Sequence, residues 1–488
     1  MSATFPSFVL SKDNRSYLLI AAVAAILQII IFKLLYPYAD FFSDSYSYIY
    51  AAATGTDVNI WPVGYSKFLW FFRQETTSDT TLVVFQYLFL QTITLYFFFT
   101  LLYFYAPSKR IRYIIFGCFF FNPLMLYLSN YISSDALFLA LSLLWVIQLL
   151  WMLHQPRWYQ IFIHAFLIIA LFTLRYNAMY YPFITAFVLL LSRQQWIWKV
   201  TGILLPLLFI FLFVQHTRKV ADVMTGTPQF SIFGGWQLAN NALYMYPYIT
   251  VKGQPPAECR EFDQVVQTYF RNIPEEGKSI SPRDGAFYIK YSKAPLKQYV
   301  ATHINPEKDS TNGIYSWGAV APIYGSYGKF LMLEHPIAFA RYFLLPNTIN
   351  YFLPPLEKLE VYNLGEDRVS GMAVKWFHYP GNKVTAISWD AQGIILLLFP
   401  AIFLSLNFFF CWTLVLWIRS AHGRKADPVF KYALIIITTL LIVNAAFSIL
   451  ASPIVFRYQV FPMLLCFSFV LLMTDKMNTS SPVSRPGS

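Results

Sequence analysis

Apolar residues in this chain fall in long runs, with little of the short alternation that marks half-buried strands. A membrane-spanning helix needs about 20 mostly apolar residues. Ten runs qualify, near 17–37, 82–105, 113–130, 133–153, 161–174, 177–191, 200–216, 393–418, 432–450 and 458–474. Two stretches are ambiguous. Residues 113–153 are broken by Asn122-Pro123 and by Asn130 to Asp135, and 161–191 by Arg175-Tyr176-Asn177 and Pro182. Each reads as one long helix or as two short ones. Read as pairs, they return the chain to its starting side. Lys12 and Arg15, then Lys109, Arg110 and Arg112, then Arg157, Arg193 and Lys199, then Arg419, Arg424, Lys425 and Lys431, and finally Lys476 then share one face. The positive-inside bias favours this pairing and makes both termini cytoplasmic. The N-terminal stretch carries no cleavable signal pattern and reads as the first anchor.

The fold class expected is an α-helical polytopic membrane protein with about ten spans and an extracytoplasmic domain that is α/β or mainly α. The expected organisation is an N-terminal membrane module over 1–216 with an outer loop at 38–81, an extracytoplasmic domain over 217–392, C-terminal membrane helices over 393–474 and a disordered tail over 475–488. The stretch 217–392 differs from its flanks in its Pro-Pro and Gly-Gly pairs and its balance of acids and bases. At about 170 residues it can bury a core of its own. Within it, 334–353 reads as an amphipathic, interfacial helix.

Composition agrees. Charged residues make up 12% of the 488, against roughly 25% for soluble domains. The formal charge of +12 does not indicate nucleic acid, because the cations sit in short loops between apolar runs. Three of the four cysteines lie inside apolar runs and Cys259 stands alone, so no disulfide framework is expected. His303, His335 and His378 lack metal-ligand spacing.

The first outer loop carries the candidate chemistry. Asp40 and Asp44 follow directly on the first apolar run, where a carboxylate at the lipid–water boundary can become a useful base. An ordinary helix-ending acid is the competing reading. Arg175 interrupts an apolar stretch, where ionisable groups are expensive and usually functional, whereas Arg457 could equally anchor at the interface. Asp135 follows Ser133-Ser134, and all three are good helix caps. The stretch 234–248, rich in Gly, Asn and aromatics, reads either as the lining of a groove or as a packing segment.

The run Asp44-Ser45, Tyr48 and Ala51-Ala52, followed by Trp61-Pro62-Val63-Gly64-Tyr65, resembles the acidic motif and aromatic-Pro stretch of the GT-C glycosyltransferases. The resemblance is closest to the bacterial branch related to protein O-mannosyltransferases and to lipid A aminoarabinose transferases. Asn122-Pro123 to Asp135, Leu174-Arg175-Tyr176 to Pro182, and Ser452-Pro453 through Arg457-Tyr458 to Pro462 are similar to later landmarks of that family. The matches cover 1–216 and 393–474 in order. One departure is Ser45, where the family places a second acid; Asp40, four residues earlier, is the expected substitute if the segment is helical.

The resemblance implies a membrane glycosyltransferase moving sugar, with inversion, from a polyprenyl-phosphate donor to a lipid, glycan or protein acceptor. Asp44 would be the base, Asp40 the substitute second acid, and Asp135 a catalytic-site acid that positions the acceptor or holds an Arg in place. Arg175, Arg457 and Tyr458 would bind the donor, and Tyr48, Trp61 and Tyr65 would stack on the sugar. No cofactor follows with certainty; a divalent cation beside the acid stays open, and the missing acid at Ser45 disfavours it. Partners would be the lipid-linked donor, its acceptor and membrane lipid, with no nucleic acid. The expected location is a bacterial inner membrane. Two alternatives remain: an envelope oligosaccharide polymerase or ligase, for which Arg341 in the large segment is the candidate arginine, and a lipid-linked sugar transporter, against which the absence of an internal repeat argues.

Overall fold

A computed structural model describes residues 4–273, 279–304 and 313–479. The chain is α-helical, with no strand among the described residues and two isolated bridges, Asp40 with Tyr131 and Arg368 with Lys383. Eight helices are long and apolar enough to cross a membrane. They are Lys12–Leu35, Asp79–Tyr105, Lys109–Asn130, Asp135–His154, Trp196–Thr225, Ala391–Arg419, Pro428–Ala451 and Phe456–Asn478. An architecture of this kind belongs to the membrane-embedded α-helical class.

The first of these shows why the sequence folds so. Tyr17, Ala21, Ala25, Ile29 and Phe32 recur at three- and four-residue steps and are buried, while Leu19, Ile20, Val23, Ile26, Leu27, Ile30, Ile31 and Leu34 are exposed. One stripe packs on the bundle and the remaining apolar surface suits lipid.

The other two expected spans differ. Gln160–Leu174 has 15 residues and Tyr181–Leu191 has 11, each short of the roughly 20 that a crossing needs. They form a hairpin, with His164 Nε2 hydrogen-bonded to Thr185 Oγ1 at 2.8 Å across it. Its tip is the single 3₁₀ turn Tyr176–Tyr180. Trp196–Thr225 goes the other way. Its 30 residues extend about 45 Å, past a hydrocarbon core of about 30 Å.

Helix ends sort into two groups. At one end, Ser108 N donates to Asp475 Oδ2 (2.8 Å), Tyr105 hydrogen-bonds His154 (3.2 Å), and Trp158 packs on Trp198 (5.9 Å). Lys476 lies over Phe430, and Phe5 packs on Trp151. The basic loop clusters belong to this end. At the other end, Asp40 N donates to Asn130 O, Ala39 N to Asp79 Oδ2, and Arg175 to Asp135.

The stretch 217–392 divides. Residues between 236 and 343 form a separate core around Trp236, Tyr244, Phe262, Tyr288, Tyr324 and Phe343. Its spine is Ile232–Leu243 against Ile314–Glu334. A Cβ at Gly235 would lie 1.8 Å from Ala321 O, and one at Gly328 2.7 Å from Leu238. Residues 351–384 instead join the main core. Tyr362 OH donates to Tyr38 O and Ala39 O, both at 3.1 Å, and Tyr131 OH donates to Lys358 O at 2.6 Å.

The helix expected over 334–353 runs from Pro336 to Phe352, set off from the preceding helix at His335 and passing through a π segment, Ala340–Leu344. Ile337, Leu345, Ile349 and Leu353 along it are exposed. The tail begins later than 475, because the last helix continues to Thr479; residues 480–488 lie outside the described residues. Cys259 is buried with Sγ 3.4 Å from Ile323 O, and all four cysteines are free.

Candidate active site

Four helix ends and one loop converge at the face opposite the basic clusters. Asp44 lies in the first turn of Ser43–Thr54, whose start is fixed by Ser45 Oγ accepting from Phe42 N (3.2 Å). A carboxylate in a first turn is favoured by the helix dipole. Asp44 Oδ2 accepts from Lys358 Nζ at 3.0 Å and lies 3.8 Å from Arg457 Nη2. Lys358 is delivered by the Pro354-Pro355 loop, where Glu357 adopts a left-handed φ of 54°.

Asp135 opens Asp135–His154 and binds three donors. Ser133 Oγ lies at 2.6 Å, Arg175 Nη2 at 2.5 Å and Arg457 Nη1 at 3.0 Å. Arg175 Nε also donates to Ser134 Oγ (3.0 Å). Arg457 Nη2 donates to Tyr458 OH (3.0 Å), and the Tyr458 ring lies 4.9 Å from the Arg175 guanidinium. A buried Asn shapes the turn that presents Arg457. Asn347 Nδ2 donates to Ile449 O and Ser452 O, both at 2.8 Å, and its Oδ1 accepts from Ile454 N at 2.9 Å.

Two cavities meet at this cluster, of about 450 and 550 Å³, within the usual range of ligand pockets. Asp44, Trp61, Phe233, Gln237, Arg457 and Tyr458 line both. The larger continues along Tyr48, Arg175, Tyr176, Met179, Leu238 and Leu450. Met179 and Leu450 are exposed, so this cavity reaches an apolar flank of the helix bundle. The smaller runs into the separate core past Lys290, Lys297, Trp317, Glu357 and Lys358.

Asp44, Arg175, Arg457, Tyr458, Tyr48 and Trp61 are thus brought together as expected from sequence. Asp40, Tyr65 and Arg341 are placed otherwise, and Asp135 takes the second of its two expected roles, holding an Arg. Asp40 is no substitute for the missing acid. It precedes the helix in extended backbone bridged to Tyr131, and its Oδ1 accepts from Asn363 N (2.9 Å) away from both cavities. Burial pushes its carboxyl well above the usual range, against the opposing pull of that N–H. Asp135 touches neither large cavity and holds the two arginines. Tyr65 is fully buried behind Tyr48, donating to Gln86 (2.8 Å). Arg341 lies exposed over Tyr342 in the π segment, outside both cavities.

The 234–248 stretch does both things considered for it: Gly234, Gln237 and Leu238 line a cavity while Gly235 and Trp236 pack inward. Sequence reasoning missed Lys358, Glu357, Lys290 and Lys297. Burial lowers the Lys358 pKa, with Asp44 pulling the other way. Glu357 is drawn below its usual range; burial raises it, but Arg457, Lys290 and Lys358 outweigh burial. A divalent cation does not fit at Asp44. Its near neighbours are two cationic side chains, and among the described residues no three metal-ligating side chains cluster. Comparison with protein-family models, with curated proteins and with solved structures gives no match, so the chain is characterised by this geometry.

Proposed function

We propose that the protein is a membrane glycosyltransferase, taking sugar from a polyprenyl-phosphate donor at the site around Asp44. The acceptor oxygen attacks the anomeric carbon as the bond from that carbon to the phosphate oxygen breaks. The acceptor proton goes to Asp44, and the leaving phosphate keeps the electron pair, with inversion at carbon. Charge develops on the phosphate, where preorganised cations help most. Arg175 and Arg457 supply planar donor forks for it. The larger cavity, with its apolar wall and its opening at Met179 and Leu450, suits the prenyl phosphate; the smaller suits the acceptor.

One observation carries this reading: Asp44 and Arg457, far apart in sequence, share the boundary of both cavities, with the carboxylate 3.8 Å from the guanidinium. The basic clusters lie at the opposite end of the bundle, which supports a cytoplasmic basic face and a site on the outer face of a bacterial inner membrane. Arg341, the candidate arginine of the polymerase or ligase reading, lies outside both cavities, which favours the transferase reading.

Transfer of labelled sugar from polyprenyl-phosphate donors in proteoliposomes tests the proposal. Asp44→Asn should keep folding and lower transfer by roughly 10²–10⁴-fold, the usual contribution of a general base. Full activity in that variant would end the assignment of Asp44.

A further inference from the structure

The smaller cavity carries more positive charge than its acids balance. Lys290, Lys297, Lys358 and Arg457 line it, against Asp44 and Glu357. Arg457 is shared with Asp135, but Asp135 also holds Arg175, so extending the count leaves the excess in place. Lys358 pairs with Asp44, and Lys290 with Glu357. Lys297 has no carboxylate within ion-pair distance among the described residues. Its Nζ lies over the rings of Trp317 (4.4 Å) and Trp236 (5.1 Å). Burial lowers its pKa, so a charged Lys297 is held at a cost that a bound anion would relieve.

We propose that this cavity is a second anion site, separate from the one at Arg175, and that it binds an acceptor carrying a phosphate group. Lys297 and Lys290 receive the phosphate, and Trp317 and Trp61, in the wall of the same cavity, border the space for an attached sugar ring. The inference rests on the sugar-transfer reading for the word acceptor; the anion site itself does not depend on it. A phosphate fixed at Lys297 would set which hydroxyl faces Asp44, making Lys297 a specificity determinant for the reaction.

Binding tests this without turnover. Purified full-length protein in detergent is titrated by calorimetry with glucose 1-phosphate, with glucose, and separately with undecaprenyl phosphate. The expected result is that glucose 1-phosphate binds and glucose does not. Lys297→Gln should then weaken glucose 1-phosphate about tenfold, the scale of one charge-assisted contact, and leave undecaprenyl phosphate unchanged. Lys290→Gln, at an exposed position, serves as a second variant should Lys297→Gln unfold; it should weaken the same ligand. Loss of undecaprenyl phosphate together with glucose 1-phosphate would overturn the proposal, because the cavity would then belong to the donor. Unchanged binding of both ligands in folded variants would overturn it too. If glucose 1-phosphate binds as expected but no transfer is ever detected, the anion site stands and the sugar-transfer reading fails.

Discussion

Replacing Asp135 by Asn keeps the side-chain shape and removes the charge that two guanidiniums share. The Asp135 side chain is 2% exposed, that of Arg457 5% and that of Arg175 14%. Little water is available to compensate. Removing one partner of such a buried network costs about 3–5 kcal/mol, chiefly because the surviving charges stay buried and unbalanced. At roughly 2 °C per kcal/mol for a large domain, the apparent Tm in detergent should fall by about 6–10 °C. Function should change as well. Asn cannot accept from both arginines and Ser133 at once, so Arg175 and Arg457 lose their fixed directions, and undecaprenyl phosphate should bind more weakly. Asp44→Asn gives the contrast: Lys358 keeps Glu357 nearby, so its Tm shift should be clearly smaller while transfer is lost. Thermal unfolding and lipid-phosphate titration of both variants are the assays. An unchanged Tm with unchanged lipid-phosphate binding in Asp135→Asn would refute the positioning role assigned to Asp135.

Asp40→Asn should retain transfer, because Asn can accept from Asn363 N as Asp40 does; abolished transfer in a folded variant would return Asp40 to the chemistry. The same variant tests the pKa. A carboxyl whose folded pKa is raised stabilises the fold while it stays protonated, and that stability is lost as pH rises through the raised value. Wild type should therefore lose Tm relative to Asp40→Asn on going from acid to neutral pH, and parallel curves would contradict the assigned burial. Gly235→Ala should destabilise the separate core by about 1–3 kcal/mol, because the added methyl meets Ala321 O; limited proteolysis of the 230–343 region would read this out, and wild-type resistance would refute the close approach. Arg341→Ala should leave donor binding unchanged, since the side chain lies away from both cavities, and a weaker affinity would reopen the polymerase reading.

The residues legible from sequence were those whose chemistry is rare where they sit. Arg175 and Asp135 interrupt apolar runs, and an ionisable group there is expensive enough to stand out. Lys358 and Lys297 carry the same charge but lie in a polar stretch among many lysines, so nothing local marks them. Their role arises from the fold: 351–384 is carried back over the first loop through Tyr362 and Asn363, and the separate core sets Lys297 in the wall of the smaller cavity. Asp40 was misplaced for a related reason. Four-residue spacing puts two acids on one face only inside a helix, and the helix starts at Ser43 because the preceding backbone bonds to Asn130 and Ile132. The breaks at Arg175 and Pro182 were visible in sequence, but not that the helices either side would stop short of full span length.

The charge network itself argues for chemistry over stability. Buried ion pairs are poor stabilisers, since desolvation offsets their attraction and well-packed apolar residues do as well or better. Here Arg175, Arg457 and Lys358 are gathered with Asp44 and Asp135 at a point where apolar helices already pack. Each cation is tied to a carboxylate, which fixes it in place before any ligand arrives; preorganised donors need no rearrangement when charge develops on a substrate. Asp44 differs from Asp135 in facing open space. Lys358 reaches it as a flexible single ammonium, while Asp135 is clamped by two rigid forks. The looser pair is the one that a substrate phosphate could draw apart, leaving Asp44 free to take a proton while the arginines stay fixed. Under the proposed sugar transfer, Asp44 is the carboxylate assigned to react, while Asp135 holds the two arginines.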